Sequence, residues 1–279
     1  MAQLAQTGPF TPDEDLELLR SAAVHAGIIA LGFFRTEYNT WTKGQSSPVS
    51  DADIAVDGFL TQALRAVRPD YGWLSEETPD NPERLAHRRV FVVDPIDGTR
   101  GFIKGDDSWT ISLAVVEDGA PVAGVVYAPV RDEMYCAARG KGATLNGGPL
   151  RRSRPVGRDP VIPAPMAVHS ELGHAGLSYV RGPAYPSLAY RLVQVAAGAL
   201  DAAVARRGAE DWDIAGAAII LSEAGVDFED VCAGPVRFNR PETRHAALAA
   251  TADPSLKTLL HKALRRVYGC PEPATASET

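Results

Sequence analysis

Leu16, Leu19, Ala23, Ala26, Ala30 and Phe33 recur at intervals of three and four, the period of a single buried helical face. Thr11, Pro12 and Glu14 ahead of them form a capping box with proline at the first helical position, so a helix begins there. It ends before the polar stretch around Asn39 to Ser47, to which neither period is assigned. Ser50, with Asp53 three residues on, opens a second helix carried by Val56, Phe59, Leu60, Ala63, Leu64 and Val67 and stopped by Arg68-Pro69-Asp70. Apolar β-formers then predict strands at 72–75, 89–93, 110–116, 122–127, 134–138 and 143–145, with turns at Glu117-Asp118-Gly119 and Asn146-Gly147. Two helices followed by a run of antiparallel strands predict an α+β unit over residues 1–152. The proline- and arginine-rich stretch 150–165 marks a junction. Beyond it, strands at 166–169, 178–180 and 202–205 alternate with helices at 188–199, 213–224 and 255–267, an α/β unit over 153–279 whose tail after Pro271 is expected to fray.

Length and charge narrow the function. A chain of 279 residues can bury a large core, and 28 basic against 35 acidic residues, with no long Lys/Arg block, argue against a nucleic-acid polymer or an anionic membrane as partner. A small charged ligand in a locally basic pocket stays open. Cys136, Cys232 and Cys270 are far apart and lack metal-ligand spacing, which predicts independent thiols in a reducing compartment. The first residues carry no basic n-region and no apolar run approaches about 18 residues, so a cytoplasmic protein without a membrane span is expected.

The chemistry concentrates in acids at the ends of elements. "FVVDPIDGTR" drives a buried strand into Asp94-Pro95-Ile96-Asp97, and the proline stiffens the turn that holds the two carboxylates. Two such groups repel unless a cation lies between them, and the Ile96 carbonyl can add a neutral oxygen. Carboxylates and a carbonyl without nearby His or Cys suit a hard ion, Mg²⁺ before Zn²⁺. An Asp-x-x-Asp can equally be a plain Asx turn after a strand. What favours the metal is the company: Glu76 and Glu77 close a neighbouring strand, Asp53 sits in the first turn of the second helix, and Asp213 begins a later one after Trp212. A haloacid-dehalogenase site would need Asp-x-Asp, an EF-hand alternating acids before its glycine, and a hydrolase triad a nucleophile elbow that is not found around His169 and Ser170.

"SPVSDAD", "GWLSEE", "VVDPIDGTRGFIKG" and "EDWDIAGAAIILSEAG" together resemble the signature segments of the inositol monophosphatase superfamily of Mg²⁺-dependent, lithium-sensitive phosphatases. The resemblance implies a layered α/β/α/β/α sandwich with the metal site between two domains. It implies Glu76, Asp94, the Ile96 carbonyl, Asp97 and Asp213 as ligands of two or three Mg²⁺ ions. Gly98 and Thr99 would bind phosphate and position water, Asp53 would polarise Thr99, Glu76 would share the general-base role, and Lys43 falls near a lysine found before "SPV" in some members.

The substrate implied is a small phosphate monoester. "GFIKG", "GVVYAP" and "GKGATLNG" look closer to the bacterial bisphosphate nucleotidase branch, which ranks adenosine 3′,5′-bisphosphate first, ahead of inositol 1-phosphate and histidinol phosphate. Arg191 stands where that branch commonly has a lysine, but its preceding serine is not matched, because Leu188 takes the place and Ser187 sits one position off. Arg206 and Arg207 are candidates for a second phosphate, against the alternative of a solvated loop pair, and Glu210 after them is a further candidate substrate contact. "AVHSEL" loosely resembles another nucleotidase segment through His169 or Ser170. A homodimer is open by resemblance, and a catalytically inactive binding protein of the same fold is the non-enzyme alternative.

Overall fold

The computed structural model describes residues 10–43, 47–152 and 157–270. Helix α1 (Pro12–Phe33) starts at the expected capping box, where the Glu14 amide donates to Thr11 Oγ1 and the Thr11 amide to Glu14 Oε2. Leu19, Ala22, Ala23, Ala26 and Ala30 form its buried face, and a Cβ on Gly27 would lie 2.6 Å from the Tyr127 ring, so this face depends on small residues. By length and composition α1 could also cross a membrane, against the expectation from sequence; its alanine-lined face packs against α2 and the sheet, and Val24, Ile28 and Leu31 are exposed. The polar stretch after it is a correction: β1 (Thr40–Lys43) and β2 (Ser47–Ser50) form an antiparallel hairpin, since paired main chains need no apolar face. Helix α2 (Asp51–Val67) follows, with the Ser50 amide and hydroxyl both donating to Asp53 Oδ2.

Next come β3 (Gly72–Ser75), a short 3₁₀ turn (Pro82–Ala86), β4 (Arg89–Asp97), α3 (Thr99–Ile103), β5 (Thr110–Glu117), β6 (Ala120–Ala128), β7 (Glu133–Ala138), β8 (Ala143–Leu145) and β9 (Gly148–Pro149). The seven strands β3 to β9 pair in chain order. All are antiparallel except β3 and β4, which run parallel because residues 76–88 cross back before β4 begins, correcting the all-antiparallel expectation. Asn146 and Gly147 both have positive φ, as the expected tight turn requires.

The second half contains β10 (Val161–Ile162), α4 (Met166–His174), β11 (Val180–Arg181), α5 (Leu188–Ala196), β12 (Ala202–Ala205), α6 (Asp211–Glu223), β13 (Asp227–Asp230), β14 (Gly234–Pro235), β15 (Leu248–Thr251) and α7 (Pro254–Tyr268). The strand expected at 166–169 is a helix: Val168 and Leu172, four apart, share its buried side, a period that a four-residue window hides. Three strands after α6 went unread, and β12, β15, β13 and β14 make a second, antiparallel sheet. Cys232 and Cys270 form a disulfide and Cys136 is a buried thiol, so the three cysteines are not independent and the inference from them to a reducing compartment loses its ground.

Strand alternation sorts the core into layers. Phe91, Val93, Leu113 and Val115 face α1 and α2, while Val90, Val92, Ala114 and Val116 face α5 and α6. Those two helices share their cluster with Ala203, Ala205, Leu248 and Ala250 of the second sheet, whose other face, Ala202, Val204 and Ala249, packs on α4 and α7. The result is a five-layer α/β/α/β/α sandwich, and its central cluster draws on residues from both sides of position 152. The tail from residue 271 lies outside the described residues.

Candidate metal and phosphate site

The end of β4 carries the first acids. Its ladder with β5 shifts register between Asp94 and Asp97, so the Pro95-Ile96 segment bulges out of the sheet. Asp94 Oδ1 accepts from the Ile96 amide (3.1 Å), the Asx bond that the plainer reading foresaw, but Asp94 Oδ2 is buried with no hydrogen-bond partner among the described residues. Parallel pairing sets Ser75 opposite Val93, and the Glu76 amide donates to the Val93 carbonyl, which brings Glu76 alongside Asp94.

Asp97 is held from the far side of the sheet. Its Oδ2 accepts from the Ser187 hydroxyl and the Ala189 amide, each at 2.6 Å, at the start of α5. Gly98 permits this approach: at φ +94° it turns the chain into α3, and a Cβ there would stand 3.0 Å from the Ser187 nitrogen. Asp213, the third residue of α6, has Oδ2 fixed by the Glu210 amide (2.7 Å). One carboxylate oxygen each from Asp94, Asp97 and Asp213 fall within 4.8 Å of one another.

Burial, followed by the neighbouring carboxylates, drives Asp94 and Asp213 well above the ordinary carboxylate range. Burial also raises Asp97 despite its hydrogen bonds from Ser187 and the α5 amides, and pushes Glu76 up to about 7 against the pull of Lys43. Lys43 Nζ donates to the Glu76 carbonyl (2.6 Å) and pairs with Glu77 (2.9 Å), which leaves the Asp94–Asp97–Asp213 group under-neutralised. An orphaned buried oxygen and three converging carboxylates without imidazole or thiolate fit a hard divalent cation such as Mg²⁺.

Thr99 Oγ1 lies 3.1 Å from Asp53 Oδ1 and 3.0 Å from the Ile96 carbonyl, linking the first turn of α2 to the bulge. Arg191, on α5, makes long contacts of 3.4 Å to the Ser187 and Val204 carbonyls; burial lowers its pKa, opposed by Asp97 and Asp213 and reinforced by Arg206. Arg191, Arg206 and Asp213 line a cavity of about 160 Å³ with Leu188, Ala205, Gly208 and Ala209. Arg207, exposed like Arg206, does not line it. The Glu210 side chain accepts from Thr243 and Arg244 and forms a capping box with Asp213, while its amide donates to Asp213 Oδ2. His169 is likewise remote, stacked on Tyr179 in the outer layer. Sequence reading missed Ser187 as the clamp on Asp97; its position as the residue before α5, an N-cap serine, was the available signal.

A family model described as the inositol monophosphatase family matches residues 12–268. The 3′(2′),5′-bisphosphate nucleotidase CysQ of Escherichia coli is 46% identical over 101 residues, 36% of this chain and 41% of that protein, so the chain spans about two fifths of the nucleotidase it matches. The inositol-1-monophosphatase of Mesorhizobium japonicum is 37% identical over 211 residues, 69% of this chain and 75% of that protein. Among solved structures, extragenic suppressor protein suhB of Bartonella henselae superposes with a TM-score of 0.77 at 28% identity, covering 91% of this chain and 99% of that one.

Proposed function

The chain belongs to the inositol monophosphatase family, and we propose that it is a Mg²⁺-dependent phosphomonoesterase that hydrolyses its ester with water. The convergence of Asp94, Asp97 and Asp213 on one point carries this reading. Glu76, Asp94, Asp97, Asp213 and the Ile96 carbonyl would hold two or three ions. Bound Mg²⁺ supplies charge neutralisation for the phosphate and a lowered pKa for water.

The protein's own part is to place the proton acceptors. Thr99 has one hydroxyl proton and two acceptors in reach, Asp53 and the Ile96 carbonyl. With its proton directed to Asp53, the Thr99 Oγ1 lone pairs would be left to accept from an attacking water, while the Ile96 carbonyl would be free to serve as a ligand. Glu76, whose carboxyl is raised by burial and in part by the charges of Asp53 and Asp97, would share the general-base role. The Gly98 and Thr99 amides, at the turn into α3, would anchor phosphate oxygens.

For the substrate we rank adenosine 3′,5′-bisphosphate first. The nucleotidase similarity over 101 residues supports it, and so does the cavity beside Asp213, whose two guanidinium groups suit a second phosphate. Inositol 1-phosphate is the next reading, favoured by the longer similarity to an inositol-1-monophosphatase, with histidinol phosphate behind. Phosphate release from the three esters, with and without Mg²⁺, tests both levels. A tenfold preference in kcat/KM for inositol 1-phosphate overturns the ranking, and no release from any ester by a folded, Mg²⁺-binding protein favours the binding-protein alternative. Arg206→Ala should raise KM for the bisphosphate and leave a 3′-monophosphate unchanged, while Arg207→Ala changes neither.

A further inference from the structure

We propose that His245, which touches none of the site acids, is a positioning residue that fixes Asp213; this rests on Asp213 being a metal ligand. Its imidazole Nε2 lies 2.7 Å from Asp211 Oδ1, with side chains 1% and 0% exposed, and Asp211 Oδ2 accepts from the Asn239 amide at 2.7 Å. The His245 backbone binds the preceding segment as well: its amide donates to the Ala209 carbonyl (2.8 Å) and its carbonyl accepts from the Gly208 amide (3.0 Å). Thr243 and Arg244 hold the Glu210 side chain between these points. Every residue from 208 to 211 is therefore tied to the 239–245 segment, and the Glu210 amide within that stretch fixes Asp213 Oδ2.

The same segment reaches the other half of the site. Arg84, with a side chain 1% exposed, donates to Asn239 Oδ1 (2.7 Å) and to the Arg240 carbonyl (3.0 Å) while paired with Asp80. Arg84 belongs to the 3₁₀ turn that follows β3 and Glu76. A continuous brace thus runs from the segment after Glu76, through Asn239 and the His245–Asp211 pair, to the first turn of α6. Such a brace has work to do, because Asp94, Asp97 and Asp213 repel one another in the absence of an ion, and the start of α6 would otherwise yield.

The test uses His245→Ala and His245→Gln in the full chain, the glutamine amide being able to reach Asp211 as a neutral donor. Mn²⁺ and Mg²⁺ binding are measured by calorimetry without substrate, and thermal unfolding is measured in EDTA. Loss of an orienting partner behind a metal ligand weakens binding by about 10–100-fold. His245→Ala should show such a loss and His245→Gln should return to within a few-fold of wild type. Leu260→Ala, in the outer core, controls for lost stability alone and should bind metal normally. Should His245→Ala not fold, His245→Asn, polar but too short, replaces it. The inference is overturned if the folded alanine or asparagine variant binds like wild type, if glutamine fails to restore binding, or if Leu260→Ala loses as much. Failure of the wild-type protein to bind either ion would instead overturn the metal-site reading itself.

Discussion

Replacing Asp97 with Asn should make the metal-free protein more stable while removing its response to Mg²⁺. The site oxygens of Asp94, Asp97 and Asp213 lie within 4.8 Å of one another, and two full charges at that separation repel by about 3.5 kcal/mol at an effective dielectric near 20. Asparagine keeps a carbonyl oxygen for Ser187 and Ala189 but at neutral strength, which takes back about 1 kcal/mol. Residual protonation of the cluster relieves part of the repulsion, so the net gain in EDTA should be about 1–3 kcal/mol near pH 8. The sign with pH follows from the raised carboxylates. Their folded pKa values lie above the unfolded ones, so this part of the stability is intact below the unfolded values and is lost as pH climbs through the folded ones. The gap between variant and wild type should therefore widen from about pH 5 to about pH 8. Mg²⁺ at a hundredfold excess over its dissociation constant adds about 2.7 kcal/mol to wild type and should add little to Asp97→Asn. Urea unfolding followed by tryptophan fluorescence, in EDTA and in Mg²⁺ at both pH values, reads all four quantities. A variant less stable than wild type in EDTA near pH 8, or equally stabilised by Mg²⁺, refutes the picture of an acid cluster held together against its own charge.

Two further outcomes test the local geometry. Gly98→Ala must adopt φ +94° and set a methyl 3.0 Å from the Ser187 nitrogen, so it should cost at least about 2 kcal/mol in urea unfolding; a loss under about 0.5 kcal/mol would show that α5 can move aside. Thr99→Val should lower kcat by about 10²–10⁴-fold with the fold kept, and Thr99→Ser should recover most of it, since only the serine retains a hydroxyl toward Asp53. Equal rates for valine and serine would remove Thr99 from the water-positioning role.

What the sequence determined by itself was local. The capping boxes at Thr11 and Ser50, the helical spacing along α1 and α2, and the apolar run into Asp94 depend on neighbours within a few residues, and each appears where the pattern placed it. The acids were legible for the same reason, since each closes or opens an element whose period is visible. Folding decided what lies across large separations in the chain. Ser187 meets Asp97 only because α5 packs under the end of β4, and the disulfide forms only because α7 returns the chain to Cys232. Arg206 and Arg207 are equivalent as text and both are exposed, yet the path of the loop after β12 sets Arg206 and not Arg207 at the cavity. The strands β13 to β15 escaped notice because β13 is mostly acidic, β14 is two residues long, and β15, buried along its whole length, carries no alternation to read. Partners of that kind are fixed by packing many residues away, a relation that no local period encodes.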